Sequence, residues 1–449
     1  MPKHAVLLAL CLVVAPAPLF AQQNDIDPRV AQLVAQVSEE RLTTLLNRLV
    51  TFETRFTLSD PAPMGKGIGG ARQWIFDELK RSSPRLQVSF DTYQVAPQGE
   101  RIPRAVELRN VMAVLPGRTP RRIYVSGHYD TVARLVNPPE GAGASGGAGM
   151  HWNVTDNPAP GANDDGSGTA LTMELARVFA ESGIEFDATL VFIAFAGEEE
   201  GLVGAALHAE KAAAEKTPIE AVFNNDIVGG AMGGNGIVNA ETVRVFADGP
   251  EDSPSRQLAR HIRAAAARYV PSHRVELVAR YDRFSRGGDH TAFNQHGFPG
   301  IRFTEANENY SKQHTVNDTI DGVSFPYLAR NARVNAAAVA SLALAPSAPV
   351  VINERGAPML GRDPSGYDAR LQWQPSPGAA TYRIYWRPAW GPDWIHSAVV
   401  GDVTEHVMAN VSIDDYVFGV AAVGPGGHES LVTAYVNPPR STIQIKTLP

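Results

Sequence analysis

The middle of the chain alternates short apolar segments with segments of helical periodicity, and this alternation is the feature that most constrains the fold. Strands are predicted at 123–126, 189–195, 221–223 and 301–304, and helices at 169–181, 202–215, 255–269 and 327–345. Strands that are apolar at consecutive positions are typical of a parallel sheet buried on both faces. The sequence therefore predicts an α/β fold with a mostly parallel or mixed central sheet and helices on both faces.

The region before this alternation is also structured. Residues 25–49 carry helical spacing, and a second helix is predicted at 71–79 after a glycine-rich turn at 65–70. Residues 86–93 and 106–114 alternate in the way that strands do. We therefore expect residues 25–345 to form one α/β domain.

The C-terminal part of the chain has a different pattern. Residues 346–366 are rich in proline and glycine, which is typical of a linker. Residues 367–440 then alternate apolar and polar positions between short turns, which predicts a small all-β sandwich. The segments around Trp373, Trp386 and Phe418 resemble a fibronectin type III module, and they carry no visible catalytic constellation.

The N-terminus is typical of a secretory signal peptide over residues 1–21. Its apolar segment at 5–14 is too short to span a bilayer, and polar residues follow Ala21. The alternative is a buried N-terminal helix. Cleavage would remove Cys11, the one cysteine of the chain, and would exclude thiolate ligands, a cysteine nucleophile and disulfides. We expect an exported protein, periplasmic or extracellular, without a membrane span in its mature chain. The net charge of −7 provides no basic surface for nucleic acid.

Polar residues with metal-binding chemistry follow the predicted strands. In parallel sheets, functional groups collect just beyond the carboxyl ends of the strands. His128 follows the first of these strands, and Asp130 comes two residues later. A metal-bound imidazole usually needs a carboxylate to orient its other ring nitrogen, and Asp130 is the natural candidate. The alternative is a structural histidine–aspartate pair.

The segment 161–168 reads Gly-Ala-Asn-Asp-Asp-Gly-Ser-Gly and leads into a predicted helix. Its glycines would let a carboxylate lie between two metal ions without crowding, and Asp164 is our candidate for that bridge. The alternative is a helix N-cap, for which Asp and Ser are favoured residues.

Three consecutive glutamates follow the apolar strand at 189–195. Adjacent buried carboxylates repel one another, so they are costly unless a cation is present. Glu199 is assigned to the metal and Glu198 to proton transfer, because neighbouring side chains point in different directions. Glu200 fits a solvated first turn of a helix, where the helix dipole favours negative charge.

Asp226 and His314 complete the candidate ligand set. Asp226 follows a predicted strand, and His314 precedes the last helix. Each is weak alone, because aspartates are common in loops and a loop histidine is more often structural. Asp289 and His290 are the alternatives, interpreted here as a helix start that lines the site. Two imidazoles and three carboxylates suit a pair of zinc ions bridged by one carboxylate.

Taken together in their order and spacing, these motifs resemble the co-catalytic di-zinc aminopeptidase family, which includes glutamate carboxypeptidases and glutaminyl cyclases. The similarity covers roughly residues 105–345. It implies that His128 and Asp226 hold one zinc, that Glu199 and His314 hold the other, and that Asp164 bridges them. Catalytic roles follow for two further residues, Glu198 as general base and Asp130 as the carboxylate that orients the histidine.

The resemblance also implies a cis peptide bond between Asp164 and Asp165. It does not identify the group that stabilises the oxyanion, for which Tyr281, Arg286 and Tyr310 are candidates.

The expected function is hydrolysis of N-terminal residues from peptides with two zinc ions per chain. A carboxypeptidase or dipeptidase of the same family is the first alternative, and Arg283, Arg286 and Arg302 would then line a basic pocket. A glutaminyl cyclase or a non-catalytic binding protein would lack part of the ligand set, which is complete here. The oligomeric state is not indicated by the sequence.

The glycine- and proline-rich segment 137–160 separates the first two ligand motifs. It fits a flexible surface insertion or a flap that faces the substrate, with Trp152 as a possible contact.

Overall fold

The computed structural model describes residues 26–62, 65–133 and 158–437. The predicted signal peptide, Cys11 and Trp152 lie outside these ranges, as does most of the segment predicted as an insertion or flap. Within the described residues, no helix has the length and hydropathy needed to cross a bilayer.

From residue 26 onwards, three helices precede the first strand: α1 (Pro28–Gln36), α2 (Glu39–Val50) and α3 (Gly67–Ser82). The run predicted as one helical region is divided because Ser38 caps α2 by accepting a hydrogen bond from the backbone N–H of Arg41. Helix α3 begins inside the predicted glycine-rich turn. Gly69 is needed there, since a Cβ atom at this position would lie 2.1 Å from the carbonyl oxygen of Pro61.

The predicted central sheet is confirmed, and it is mixed. Its eight strands lie in the order β1-β2-β4-β3-β5-β8-β6-β7. The strands are β1 (Gln87–Val95), β2 (Val106–Leu115), β3 (Arg122–His128), β4 (Thr189–Phe195), β5 (Ile219–Asn225), β6 (Thr242–Ala247), β7 (Arg274–Val278) and β8 (Gly300–Glu305). Strands β4, β3, β5 and β8 are mutually parallel neighbours, so their carboxyl ends meet at one edge of the sheet.

Alternate side chains of the central strands pack on opposite faces, which is why these strands are apolar at every position. Ile123 and Val125 of β3 join one hydrophobic core with helices on the first face. Tyr124 joins a second core with Ala205 and Phe293 on the other face. The helices of this part are α4 (Gly166–Glu181), α5 (Val203–Ala214), α6 (Pro254–Tyr269), α7 (Asp289–Asn294) and α8 (Phe325–Ala343).

Two strands at the far edge, β6 and β7, were not predicted. Strand β7 has the sequence Arg-Val-Glu-Leu-Val and borders solvent, so it lacks the continuous apolar character of the central strands. Its neighbour β6 runs antiparallel to β8 and closes the sheet beyond the parallel region.

The C-terminal part forms two antiparallel sheets, β13-β10-β9 and β12-β11-β14-β15. The strands are β9 (Leu360–Arg362), β10 (Asp368–Gln372), β11 (Thr381–Pro388), β12 (His396–Gly401), β13 (Glu405–Ser412), β14 (Tyr416–Val423) and β15 (Thr433–Ala434). Trp373, Tyr382 and Phe418 are buried together between them. Strand β9 pairs with β10 although it lies within the segment predicted as a linker.

The sandwich packs directly on the α/β domain. The guanidinium of Arg387 on β11 forms an ion pair with Asp252, which lies just before α6. The indole Nε1 of Trp394 donates a hydrogen bond to Gln257 on α6 at 2.8 Å. Leu431 of the sandwich belongs to the main hydrophobic core of the α/β domain. The two parts are therefore joined by a buried interface.

Candidate metal centre

The carboxyl edge of the parallel strands carries the predicted functional residues. His128 is the last residue of β3, Glu198 and Glu199 follow β4, and Asp226 follows β5. Asp164 lies immediately before α4, which packs on β3. His314 lies on the segment between β8 and α8. Five segments that are far apart in the sequence thus converge on one site.

The first triad consists of His128, Asp164 and Asp226, whose potential ligand atoms all lie within 4.8 Å of one another. The Nε2 atom of His128 is 3.3 Å from Oδ1 of Asp164 and 3.8 Å from Oδ1 of Asp226. All three side chains are buried.

The second triad consists of Asp164, Glu199 and His314 and meets the same distance limit of 4.8 Å. The Nε2 atom of His314 is 3.1 Å from Oδ2 of Asp164 and 3.2 Å from Oε2 of Glu199. Asp164 thus presents one oxygen to each histidine. The five residues predicted as metal ligands are brought together, and the carboxylate predicted as a bridge is the one that the two triads share.

The backbone around Asp164 is held by its neighbours. The peptide bond between Asp164 and Asp165 is cis, as the family resemblance implied. Asp318 accepts hydrogen bonds from the backbone N–H groups of Asn163 at 3.0 Å and Asp164 at 2.9 Å. Asp165 caps α4 by accepting from Gly168, so the N-cap alternative describes Asp165 and not Asp164.

Asp130 lies where a histidine-orienting carboxylate is needed. Its Oδ1 atom is 3.5 Å from Nδ1 of His128, and its backbone oxygen is 3.2 Å from the same nitrogen. It also accepts hydrogen bonds from the backbone N–H groups of Glu198 at 3.3 Å and Glu199 at 3.2 Å. Asp130 therefore connects the ends of β3 and β4 on the side of His128 away from Asp164.

The carboxyl of Glu198 lies beside the first triad, with Oε2 at 3.9 Å from Nε2 of His128. Burial, together with repulsion from Asp226, Glu199 and Asp289, raises the pKa of Glu198 well above its usual range, although His128 opposes the shift. A partly buried carboxyl beside the first triad is placed to exchange protons with a group bound there.

The prediction that Glu200 is solvated on a first helical turn is wrong. Its side chain is buried, and burial raises its pKa well above the usual range. The chain turns back after Glu198, whose carbonyl accepts hydrogen bonds from the backbone N–H groups of Gly201 and Leu202, and α5 starts only at Val203. Glu200 therefore precedes the helix and points into the protein.

Asp289 is a buried carboxyl whose environment the sequence did not reveal. It begins α7, as predicted, yet neither of its carboxylate oxygens has a hydrogen-bond partner among the described residues. Burial raises the pKa of Asp289 to about 8, with repulsion from Asp130 and Asp226 contributing. Its neighbour His290 belongs to neither triad and lies 2.7 Å from the carbonyl oxygen of Tyr281.

Two of the three arginines considered for a basic pocket are already paired. The side chain of Arg302 is fully buried, and its Nη2 atom lies 2.8 Å from Oδ1 of Asp226. Arg283 binds Glu308 at 2.7 Å and Asp282 at 3.0 Å. These ion pairs contradict the idea that Arg283 and Arg302 line a basic substrate pocket, because their charges are buried against carboxylates.

The three candidates for the oxyanion stabiliser lie on two neighbouring loops. Tyr281 and Tyr310 are exposed, and the guanidinium carbon of Arg286 lies 5.6 Å from the ring centre of Tyr310. The Nη1 atom of Arg286 donates a hydrogen bond to Oε1 of Gln313, the residue before His314.

The two triads fit divalent cations of the zinc type. Each offers imidazole nitrogen and carboxylate oxygen, which are the ligand types that zinc takes when cysteine is absent. The Oε1 atom of Glu199 is buried without a hydrogen-bond partner among the described residues, and burial raises the pKa of this carboxyl. Such a concentration of buried carboxylates is costly without compensating positive charge.

Comparison with known proteins places the chain in a family. The model of peptidase family M28 matches residues 110–339, which contain all of the residues described above at the sheet edge. The chain belongs to peptidase family M28. A "Probable zinc metalloprotease" of Leptosphaeria maculans is 36% identical over 93% of this chain and 97% of its own length. A protein of the same description from Pyricularia oryzae is 36% identical over 92% of this chain and 85% of its own length.

Solved structures of this M28 fold include several enzymes. The LapA aminopeptidase of Legionella pneumophila matches with a TM-score of 0.53 at 18% identity, over 76% of this chain and 80% of its own. The aminopeptidase from Aneurinibacillus sp. strain AM-1 matches with a TM-score of 0.51 at 18% identity. The match covers 69% of this chain and 95% of the other. A glutaminyl cyclase of Macrostomum lignano matches with a TM-score of 0.53 at 16% identity. The match covers 74% of this chain and 95% of the other. These likenesses establish the fold, and the family membership makes the protein a zinc metallopeptidase.

Proposed function

We propose that this M28 peptidase is an exported aminopeptidase that uses two zinc ions and a glutamate general base. The observation that carries the proposal is the pair of triads that share Asp164. In this assignment His128 and Asp226 hold one zinc, and Glu199 and His314 hold the other. Aminopeptidases among the solved structures of this fold support the choice of reaction.

When bound, such a zinc pair supplies Lewis-acid polarisation of the scissile carbonyl and makes a water molecule more acidic. Glu198 then accepts the proton of the attacking water and returns it to the leaving amine. Its carboxyl is placed for both steps, because Oε2 lies 3.9 Å from Nε2 of His128, beside the first triad. Asp130 keeps the ring of His128 in the orientation that presents Nε2 to the site.

Selection for a free N-terminus is assigned to the hydrogen-bonding groups that line the site. The α-amino group of a peptide donates hydrogen bonds, and the buried carboxyl of Asp289 has neither oxygen hydrogen-bonded among the described residues. An unblocked amine would gain favourable interactions there, whereas an acylated nitrogen would lose them. The carboxypeptidase alternative is weakened because Arg283 and Arg302 are paired internally.

Two further assignments remain part of the proposal. The signal-peptide pattern of residues 1–21 supports export to the periplasm or the extracellular space. The C-terminal sandwich, with its fibronectin type III-like sequence, is assigned an accessory role. Its buried contacts with α6 support a role in stabilising the peptidase domain.

The decisive experiment measures cleavage of matched peptides by the full chain loaded with zinc. We expect removal of the first residue from tripeptides and aminoacyl-p-nitroanilides with a free N-terminus, and little cleavage of their N-acetylated counterparts. Metal quantification on the same sample should give about two zinc ions per chain at saturation. Cleavage restricted to N-blocked peptides would defeat the aminopeptidase assignment, and saturation at one zinc would defeat the two-metal assignment.

A further inference from the structure

The loops beside the metal centre contain a group of arginines, and most of their charge is neutralised internally. Arg302 pairs with Asp226 and Asp282, and Arg283 pairs with Asp282 and Glu308. Arg244 also pairs with Glu308, at 2.7 Å. Buried ion pairs of this kind hold the loops in place and leave these guanidinium groups unavailable for a ligand.

Arg286 differs from them. It is half-buried, and no carboxylate of the described residues lies within ion-pair distance of it. Its direct polar partner is the neutral amide of Gln313, whose Oε1 accepts from Nη1 at 3.0 Å. Gln313 is itself fixed, because its Nε2 donates to Glu308. The guanidinium thus keeps an uncompensated charge and further donor groups.

The position of Arg286 relates it to both triads. Gln313, the hydrogen-bond partner of Arg286, immediately precedes His314 of the second triad in the sequence. Two residues after Arg286, a Cβ atom placed on Gly288 would lie 3.4 Å from Oδ2 of Asp226 in the first triad. Arg286 therefore lies on a segment that adjoins both triads, and an extended peptide bound beside it advances about 3.3–3.6 Å per residue.

The surroundings of Arg286 are pre-organised. Ser285 has a φ of 57° and His314 has a φ of 56°, so the residues next to Arg286 and Gln313 both adopt the left-handed conformation that non-glycine residues seldom take. The guanidinium also lies over the ring of Tyr310, at 5.6 Å from its centre. Because the guanidinium of Arg286 is ordered before a ligand binds, less conformational entropy is lost when it binds an anion.

We infer that Arg286 is a substrate-binding residue that recognises a carboxylate one or two residues from the scissile bond. The inference rests on the proposed peptidase function and adds a preference for peptides that carry such a carboxylate. The carboxylate has two possible sources, the α-carboxylate of a dipeptide and the side chain of an aspartate or glutamate. Both present the same planar pair of oxygens to the guanidinium.

The test compares substrates that differ only in this group. One pair is a dipeptide and its C-terminal amide, and the other is a tripeptide amide beginning with glutamate or with glutamine. We expect the zinc-loaded wild-type protein to show about 10- to 100-fold higher kcat/KM for the carboxylate member of one pair, which identifies the source. In Arg286→Gln that ratio should fall to about one, because kcat/KM for the carboxylate member falls more than kcat/KM for the neutral member. Arg286→Lys should retain part of the preference for the carboxylate member, because lysine keeps the positive charge but cannot form the paired hydrogen bonds of a guanidinium.

The matched control is Arg280→Gln. Arg280 lies on the same loop, is exposed and stacks over Phe284 at 5.7 Å from the ring centre. Its replacement should leave the ratio unchanged, which separates a local contact from a general effect of charge. A kcat/KM ratio of about one for both substrate pairs in the wild type would overturn the inference. So would an equal fold-loss of kcat/KM for the carboxylate and the neutral member in Arg286→Gln.

A binding measurement separates this inference from the proposed function. In a Glu198→Gln background, calorimetry should give tighter binding of the carboxylate member, and adding Arg286→Gln should abolish that difference. Carboxylate-dependent binding without any peptide cleavage by the wild type would overturn the peptidase proposal and support the role of Arg286. Binding that ignores the carboxylate would overturn the role of Arg286 even if peptides are cleaved.

Discussion

The α/β domain and the C-terminal sandwich use buried charge in different ways. At the sheet edge of the α/β domain, Glu199 and Asp289 are buried with carboxylate oxygens that have no hydrogen-bond partner among the described residues. In the sandwich, the ion pair of Arg370 with Glu405 lies at the surface, with side chains 43% and 41% exposed. The interior of the sandwich is built instead from Trp373 and Tyr382.

The difference shows how a site can be told from a scaffold. A buried charge without a partner lowers stability, so it persists where a cation or substrate compensates for it. A surface ion pair contributes little to stability or to chemistry. The variants below should therefore lower activity or metal content when made at the sheet edge, and should change only stability when made in or beside the sandwich.

The largest effect is expected for Glu198→Gln. Removing a positioned general base should lower kcat by about 10²- to 10⁴-fold, while the zinc content stays at the wild-type level. Steady-state kinetics and metal quantification on the same sample measure the two quantities. Glu210→Gln, at an exposed position on α5, is the control and should keep full activity. A kcat near that of the wild type would remove Glu198 from its assigned role.

The next comparison separates the two triads. Asp164 belongs to both, whereas His314 belongs to one. Asp164→Asn should therefore lose most of the bound zinc, and His314→Ala should keep about one zinc ion per chain. Dialysis followed by metal quantification distinguishes these outcomes, with the exposed His296→Ala as a control that keeps the full content. Equal zinc loss in Asp164→Asn and His314→Ala would contradict the bridging assignment.

A smaller effect, on stability alone, is expected at the interface of the two parts. The Arg387 side chain is 3% exposed and faces Asp252, so Arg387→Ala leaves a partly buried carboxylate without its partner. We expect a loss of about 1–3 kcal/mol in the free energy of unfolding, with kcat/KM on small peptides within about twofold of the wild type. Denaturant titration measures the loss. The exposed Arg370→Ala should cost at most about 1 kcal/mol, and an equal cost for both variants would show that burial does not decide the effect.

The smallest effect concerns the contact between the N-terminal helix and the sandwich. Hydrogen bonds from Arg29 and then from His428, the latter at 2.8 Å, hold the pKa of Asp27 below its usual range against partial burial. A lowered carboxylate pKa stabilises the folded state above the ordinary value of 3.8, and this contribution is lost as the pH falls through the folded value. Asp27→Asn should therefore lower Tm slightly at pH 7, corresponding to about 0.5–1 kcal/mol.

The same variant should differ less from the wild type near pH 3, because Asp27 of the unfolded wild type is then largely protonated while the folded state still holds the carboxylate, so part of its stabilising contribution is lost. Thermal unfolding of the two proteins from pH 7 to pH 3 tests this. If the difference in Tm between the wild type and Asp27→Asn increases as the pH falls, the carboxylate of Asp27 does not stabilise the folded state and the assigned role is excluded.

Predictions that depended on local pattern were accurate for the fold. Apolar continuity identified the strands β3, β4, β5 and β8, since both faces of these strands are covered. Edge strand β7 was missed because its alternating polar sequence resembles a loop. The candidate site followed from the same pattern, as His128, Glu199 and Asp226 each come directly after a buried strand.

What the sequence determined by itself is the order of the elements and the set of residues that meets at the sheet edge. What only the tertiary structure decided is which charges are compensated there. Arg302 and Asp226 are 76 residues apart in the sequence, yet they form a buried ion pair. No local pattern could therefore show that Arg302 is paired with a carboxylate whereas Arg286 has no carboxylate partner among the described residues. Burial of Glu200 and Asp289 was hidden for the same reason. Local periodicity fixes which face of an element is buried, but the partner of a buried charge is set by distant segments that pack against it.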